Sequence, residues 1–223
     1  MSGNYSRFVE LGRKIVAVGR NYRDHAAELG NAIPDKPLIF MKPATAYITE
    51  GSPIKTHFNQ IPKGCTSLHH EIELGIVIGK KATDITEANA MDYVAGYVLA
   101  LDMTARDLQN IAKQKGHPWE MAKSFDTSCP VSAFIPKSSI PDPHNVNVWC
   151  KVNGNMKQDG NTKDMIFTVP YLLSYISQFF TLEPNDIVLT GTPAGVSAVK
   201  SGDVIQGGLD QLIKIEFRVE SSN

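Results

Sequence analysis

Apolar residues recur along this chain in two rhythms, and each predicts its own kind of element. Residues 14–18 (Lys-Ile-Val-Ala-Val), 93–101 (Tyr-Val-Ala-Gly-Tyr-Val-Leu-Ala-Leu) and 187–190 (Ile-Val-Leu-Thr) are apolar at nearly every position, as suits strands buried on both faces. Residues 213–219 alternate instead, with Ile213, Ile215, Phe217 and Val219 set against Lys214, Glu216 and Arg218, the period of a half-buried strand. Residues 38–41 add a strand candidate that runs into Lys42 and Pro43. Residues 146–152 meet the turn dipeptide Asn153-Gly154, with Met156, Lys157 and Gln158 returning as a hairpin partner.

Helical spacing is rarer. Asp24 can cap a helix over 25–29 that Gly30 ends, and residues 104–115 have helical composition until Gly116 and Pro118 stop them. Pro170 opens a helix to Phe180 in which Leu172, Ile176 and Phe179 keep a core-facing period. Strands outnumber helices and turn signals recur at short intervals. The expected class is α+β, a β-rich mixed-sheet roll curled around a pocket with peripheral helices. No repeat, low-complexity tract or linker divides the 223 residues. The chain reads as one domain over 1–223, with 1–13 a loosely ordered N-terminal segment.

Charge and cysteine content narrow the function classes. With 22 basic against 23 acidic residues and a net charge of -1, the chain offers no attraction for nucleic acid or an anionic membrane. No apolar segment approaches the roughly 20 residues of a membrane helix, and the first residues lack a secretory apolar core. Cys65, Cys129 and Cys150 are too few and too far apart for a disulfide framework or a cysteine zinc site. They fit a soluble intracellular protein, with mitochondrion and cytoplasm both open because Glu10 interrupts the early basic residues.

The candidate chemistry lies near the apolar runs. In an extended strand Glu71 and Glu73 project to one side while Ile72 and Leu74 project to the other. Asp102 ends the run at 93–101. Three carboxylates with waters match magnesium or manganese, where zinc would favour His and Cys. A solvated strand face and a helix-capping Asp102 match the same spacing. His25 and Glu28, three apart, face each other on the short helix, either as a base with its orienting acid or as an ordinary surface pair. Arg106 and Gln109 share a helical face beside Asp102. Lys123 sits among small and apolar residues, either desolvated or snorkelling to water. The loop Gly191-Thr192-Pro193-Ala194-Gly195 follows a strand and can offer N–H groups and a hydroxyl to a carboxylate or carbonyl oxygen. It lacks the spacing of a phosphate loop or a dinucleotide fingerprint.

Taken in order, several motifs together are more specific than any one. They are Gly19-Arg20-Asn21-Tyr22 with Asp24-His25, Lys42-Pro43, His70-Glu71-Ile72-Glu73-Leu74, Asp102-Met103-Thr104-Ala105-Arg106-Asp107, Lys123-Ser124-Phe125-Asp126 and Leu189-Thr190-Gly191-Thr192-Pro193. From about Lys14 to Val219 the chain resembles the fumarylacetoacetate hydrolase superfamily, and within it the small single-domain acylpyruvases. The resemblance implies that family's β-rich C-terminal roll, Mg2+ (or Mn2+ as substitute) held by Glu71, Glu73 and Asp102, and a homodimer. It also implies a lid whose His25–Glu28 pair orders on substrate binding, with Lys123 as a further catalytic group. Arg20, Lys42, Arg106, Gln109, Gly191 and Thr192 match substrate-binding positions.

The implied activity is metal-dependent hydrolysis of 2,4-dioxo acids between C3 and C4, giving pyruvate and a carboxylic acid. Oxaloacetate decarboxylation through the same pyruvate enolate is implied as well. Alternatives within the fold are oxaloacetate keto-enol tautomerisation and diacid isomerisation or decarboxylation. A non-catalytic metal-binding scaffold is a further alternative, against which His25, Glu28 and Lys123 speak. One departure is that segment 57–67 is longer than expected, which bears on the pocket rim.

Overall fold

The computed structural model describes residues 4–28, 30, 32–57 and 64–222. Most of the long segment 57–67, and Leu29 of the predicted helix, lie outside the described residues. An eight-stranded mixed sheet runs in the order Leu38–Pro43, Lys14–Gly19, Ile187–Leu189, Ile72–Ile78, Val94–Leu101, Cys129–Val131, Tyr47–Thr49, with Ile135–Pro136 also beside Val94–Leu101. A five-stranded sheet follows the order Asn155–Asn161, Asn147–Val152, Val204–Leu209, Ile213–Ser222, Ile54–His57, and a three-stranded one holds Ser197–Val199, Leu68–His70 and Thr104–Ala105. Among the described residues five α-helices lie around them: α1 (Phe8–Leu11), α2 (Arg23–Glu28), α3 (Arg106–Lys115), α4 (Glu120–Lys123) and α5 (Val169–Ser177). The expected α+β class is the class observed. No helix among the described residues is long and apolar enough to cross a membrane.

The doubly apolar runs are buried on both faces for a visible reason. Val16, Val18, Ile76, Leu99 and Val188 join the main core, which the first sheet shares with Val148, Ile205, Ile215 and Phe217 of the second. Their sequence neighbours Ile15, Ala17, Val77, Val98, Ile187 and Leu189 form a second cluster on the opposite face. Phe8 and Tyr47 cover that second cluster, their rings meeting edge to face at 5.9 Å. Residues 5–11 are therefore not the loose segment the sequence suggested: they form a 3-10 turn and α1, and Phe8 is 2% exposed. A large aromatic with an apolar face to cover docks its segment.

The predicted hairpin forms, with Asn153 (φ 51) and Gly154 (φ 79) both left-handed in its two-residue turn. Thr104 and Ala105 are a short strand, so the helix expected from 104 begins at Arg106 and ends, as expected, on a left-handed Gly116. Asp24 sits in the first turn of α2 and not at its cap, because the helix starts at Arg23, two residues before the predicted start. α5 stops at Ser177, and the helical period does not carry to Phe179, which is 63% exposed. Phe167, Tyr171 and Tyr175 stack in series along its outer side and Phe179 meets Tyr175 at a tilt, while Leu172, Leu173 and Ile176 fill the core.

Candidate metal centre and active site

The acidic cluster is built by strand pairing. Ile72, Leu74, Ile76 and Ile78 join the main core and Val77 the other cluster, so Glu73 shares the face of Val77. Antiparallel register sets Ile72 opposite Leu101, and the Asp102 N–H donates to the Glu71 carbonyl at 2.8 Å. One carboxylate oxygen from each of Glu71, Glu73 and Asp102 lies within 4.8 Å of the others. Exposures of 5%, 2% and 1% rule out a solvated strand face. Asp102 caps no helix, since α3 begins four residues later.

Three cations oppose the three acids. Lys123 Nζ donates to Glu71 Oε2 (3.0 Å), Asp102 Oδ2 (2.6 Å) and Thr104 Oγ1 (2.6 Å). Arg106 donates one Nη2–H to Glu71 Oε1 and an Nη1–H to Gln109 Oε1 at 2.5 Å. Lys42 Nζ donates to the carbonyls of Met103 (3.3 Å), Ser128 (3.0 Å) and Lys123 and stands 2.8 Å from Asp102 Oδ1. That contact is one of charge, because the three ammonium protons are already directed at carbonyls and Asp102 Oδ1 receives no hydrogen bond. Lys42, read from the sequence as a substrate contact, thus has no donor left for a substrate.

Electrostatics separate the three carboxylates. Burial alone would raise the Glu71 carboxyl, but Lys123 and Arg106 together hold it well below the usual carboxylate range. Burial, then Asp102 and Glu71, push Glu73 well above that range, against the weaker downward pull of Lys123 and of the Gly191 N–H that donates to it at 2.7 Å. Burial opposes the Lys123 ammonium, yet Asp102 and Glu71 outweigh it and raise its pKa. A carboxylate with no cation of its own and a buried Asp102 oxygen with no hydrogen bond are what an all-oxygen divalent site looks like from the protein side. The residues fit Mg2+ or Mn2+.

The His25–Glu28 pair is present on α2. His25 Nδ1 lies 3.3 Å from Glu28 Oε2, and both Glu28 oxygens accept the Gly195 N–H at 3.1 Å. Burial lowers the pKa of His25, against the opposing pull of Glu71 and Glu28, so the ring is neutral and able to accept a proton near pH 7. Gly195 must be glycine: its φ is +98, and a Cβ would stand 1.9 Å from the Lys157 carbonyl oxygen.

Arg20 is held in the left-handed region (φ 59) with a buried, unpartnered Nε. The next residue fixes that pose. Asn21 Nδ2 donates to the carbonyls of Thr190 (2.8 Å) and Phe167 (3.1 Å), and its Oδ1 accepts the Phe167 N–H at 2.7 Å. Thr192 Oγ donates to the Ile72 carbonyl (2.7 Å) and accepts from Gln158 Nε2 (2.7 Å), so its proton is spent within the fold. The glycine-rich loop does meet a carboxylate, but through Gly191 it is the chain's own Glu73. Two participants escape sequence reasoning, Thr104 and Gln158. Thr104 shares a side with Asp102 by period two and was findable; Gln158 carries no local signal. Gly195, by contrast, lies in the glycine-rich loop read from the sequence and meets a carboxylate there, that of Glu28.

Comparison with known proteins places this arrangement. Residues 14–220 match the family described as fumarylacetoacetate (FAA) hydrolase C-terminal. The chain is 54% identical over 217 residues to the mitochondrial oxaloacetate tautomerase FAHD1 of Rattus norvegicus, covering 97% of this chain and 96% of that one. It is 56% identical over 208 residues to the mitochondrial oxaloacetate decarboxylase of Dictyostelium discoideum, covering 93% of each. Among solved structures, the fumarylpyruvate hydrolase of Pseudomonas aeruginosa in complex with Mn2+ and pyruvate superposes with a TM-score of 0.87 at 38% identity, over 95% of this chain and 91% of that one. A full-length match of this kind, over a fold and an acid triad already described, means that the chain belongs to the fumarylacetoacetate hydrolase family.

Proposed function

We propose that this chain is a divalent-cation-dependent enzyme of oxaloacetate and related 2-oxo acids. In this reading it interconverts the keto and enol forms of oxaloacetate, releases its C4 carboxyl as carbon dioxide, and hydrolyses acylpyruvates to pyruvate and a carboxylic acid. The observation that carries the reading is the buried triad Glu71, Glu73 and Asp102 with Lys123 against it. The names of the relatives move the emphasis from acylpyruvate hydrolysis, first in the sequence reading, to oxaloacetate. They also support a mitochondrial location, and the family resemblance supports a homodimer, which sedimentation would test.

The three reactions share one demand, negative charge carried on the C2 oxygen while C3 gains or loses a proton or carbon. Glu71, Glu73 and Asp102 would hold Mg2+ or Mn2+, which supplies Lewis-acid polarisation of the 2-oxo group. Lys123 and Arg106, both buried, keep fixed positive charge beside these acids, where low local polarity makes it count most. Neutral His25, oriented by Glu28, accepts the C3 proton in tautomerisation, and that proton returns to the C2 oxygen. In hydrolysis the same nitrogen takes a proton from water as its oxygen attacks the C4 carbonyl. The C3–C4 electron pair then passes to C3, which is protonated to give pyruvate. Decarboxylation breaks C3–C4 with the pair again passing to C3, and it needs no base at the start.

The test follows ultraviolet loss of the oxaloacetate enol alongside pyruvate release from oxaloacetate and from acetylpyruvate, with Mg2+ and then with chelator. His25→Ala should cost about 100-fold or more in tautomerisation and hydrolysis but far less in decarboxylation, and Asp102→Ala should abolish all three. Equal loss of all three in the His25 and Glu28 variants would remove the base role of the pair. No turnover by the wild-type chain with either metal would remove the whole reading.

A further inference from the structure

α3 carries more than the two site residues read from the sequence. Arg106, Gln109 and Lys113 stand at i, i+3 and i+7, one stripe of the helix. Lys113 lies roughly 10 Å along the axis from Arg106, and helical side chains lean toward the N-terminus, here toward the acid cluster. Its Nζ is 5.4 Å from the centre of the Trp119 ring. Trp119 packs on Phe40 at 5.7 Å, and Lys123 Nζ stands 4.9 Å from the Phe40 ring. Two cations and two rings thus form a line from the carboxylates to the rim. Trp119 also abuts Gly19, where a Cβ would lie 3.6 Å from the indole, immediately before Arg20.

The charge balance leaves a surplus along this line. Glu71, Glu73 and Asp102 are matched by Lys42, Lys123 and Arg106. Arg20 and Lys113 lie outside that balance, neither of them ion-paired among the described residues, and Arg20 Nε is buried without a partner. We infer that Lys113 and Arg20 form the subsite for the second carboxylate of a dicarboxylic 2-oxo acid, and that Lys113 selects diacids over 2,4-dioxo acids with an uncharged tail. The inference rests on the reading of a 2-oxo acid substrate above. A lysine that merely snorkels keeps its ordinary pKa. Burial, then the positive charges of Arg106 and Arg20, bring Lys113 down to about 8, against the upward pull of Glu71; Lys123 adds to the depression. A bound carboxylate relieves that crowding of positive charge.

Lys113→Met keeps the stem over Trp119 and removes the charge, while Lys113→Arg keeps the charge. Melting temperature confirms that each variant is folded, as expected for a half-buried helix position. With Mg2+ present, Lys113→Met should raise the KM for oxaloacetate about tenfold, leave that for acetylpyruvate within about twofold, and be rescued by Arg. The wild-type KM for oxaloacetate should climb as pH rises through about 8, where the ammonium is lost, and the Arg variant should not show that climb. Equal shifts for both substrates, or none for either, would overturn the inference. If the wild-type chain turns over neither substrate, the proposed function fails and calorimetry decides the subsite. Malonate preferred over acetate by wild type and not by Lys113→Met supports it, and the same preference in both overturns it.

Discussion

Replacing Lys42 with Met separates a scaffold role from a substrate contact. The side chain is 1% exposed, and its ammonium sits among the carbonyls of Met103, Ser128 and Lys123 beside Asp102. Two of those carbonyls keep another partner: Ser128 O accepts the Met103 N–H, and Lys123 O accepts the Ser128 hydroxyl. Among the described residues Met103 O alone loses the ammonium without another partner, at a cost of about 1 kcal/mol. The larger cost is the buried Asp102 charge. Breaking such a pair from one side costs about 3–5 kcal/mol, and the lower end applies because Lys123 still holds Asp102. The expected loss is about 3–4 kcal/mol of an unfolding free energy of order 5–15. For a chain of this size that lowers Tm by about 10 °C. Urea unfolding of the chelator-treated protein should show a lower midpoint with an unchanged slope, and the KM of the folded variant should move by about twofold at most. Stability within about 1 kcal/mol of wild type with a tenfold higher KM would refute the argument and return Lys42 to the substrate.

Added Mg2+ or Mn2+ should raise Tm, because it relieves three clustered carboxylates in the folded state alone. At 100 times Kd the gain is about 2.7 kcal/mol, several degrees, and Asp102→Asn should lose most of it. Identical melting with metal and with chelator would refute the assignment of the triad. All three cysteines are buried, and burial pushes each thiol up to about 12, with Asp107 adding to the effect at Cys65. The native protein should therefore give no thiolate reaction with an aromatic disulfide reagent at about pH 8, and three thiols should react after denaturation. One fast equivalent in the native state would contradict the burial of that residue.

The parts of the site legible in the sequence are those that local periodicity defines. Glu71 and Glu73 share a side because a strand alternates, and Arg106 meets Gln109 because a helix turns every 3.6 residues. The same logic failed where the element ended early, as at Phe179, or where a segment was held by a partner far along the chain, as Phe8 is by Tyr47. It also misread partners. Lys42, Gly191 and Thr192 were expected to face a substrate, and the fold commits their donors to three carbonyls, to Glu73 and to Ile72.

By itself, the sequence determined the class of fold, the doubly buried strands, the acid pair on one side of its strand, and the His25–Glu28 spacing, since each depends on residue type and a short repeat. Tertiary structure decided what each of these side chains meets. Glu28 is held by a glycine 167 positions away, and Lys123 reaches Glu71 from 52 positions away. Burial by the whole fold raises both of two neighbouring glutamates, and Lys123 and Arg106, paired with Glu71 alone of the two, leave that one held below and Glu73 pushed above the ordinary carboxylate range. Desolvation and long-range charge depend on three-dimensional distance, which no local pattern along a chain encodes.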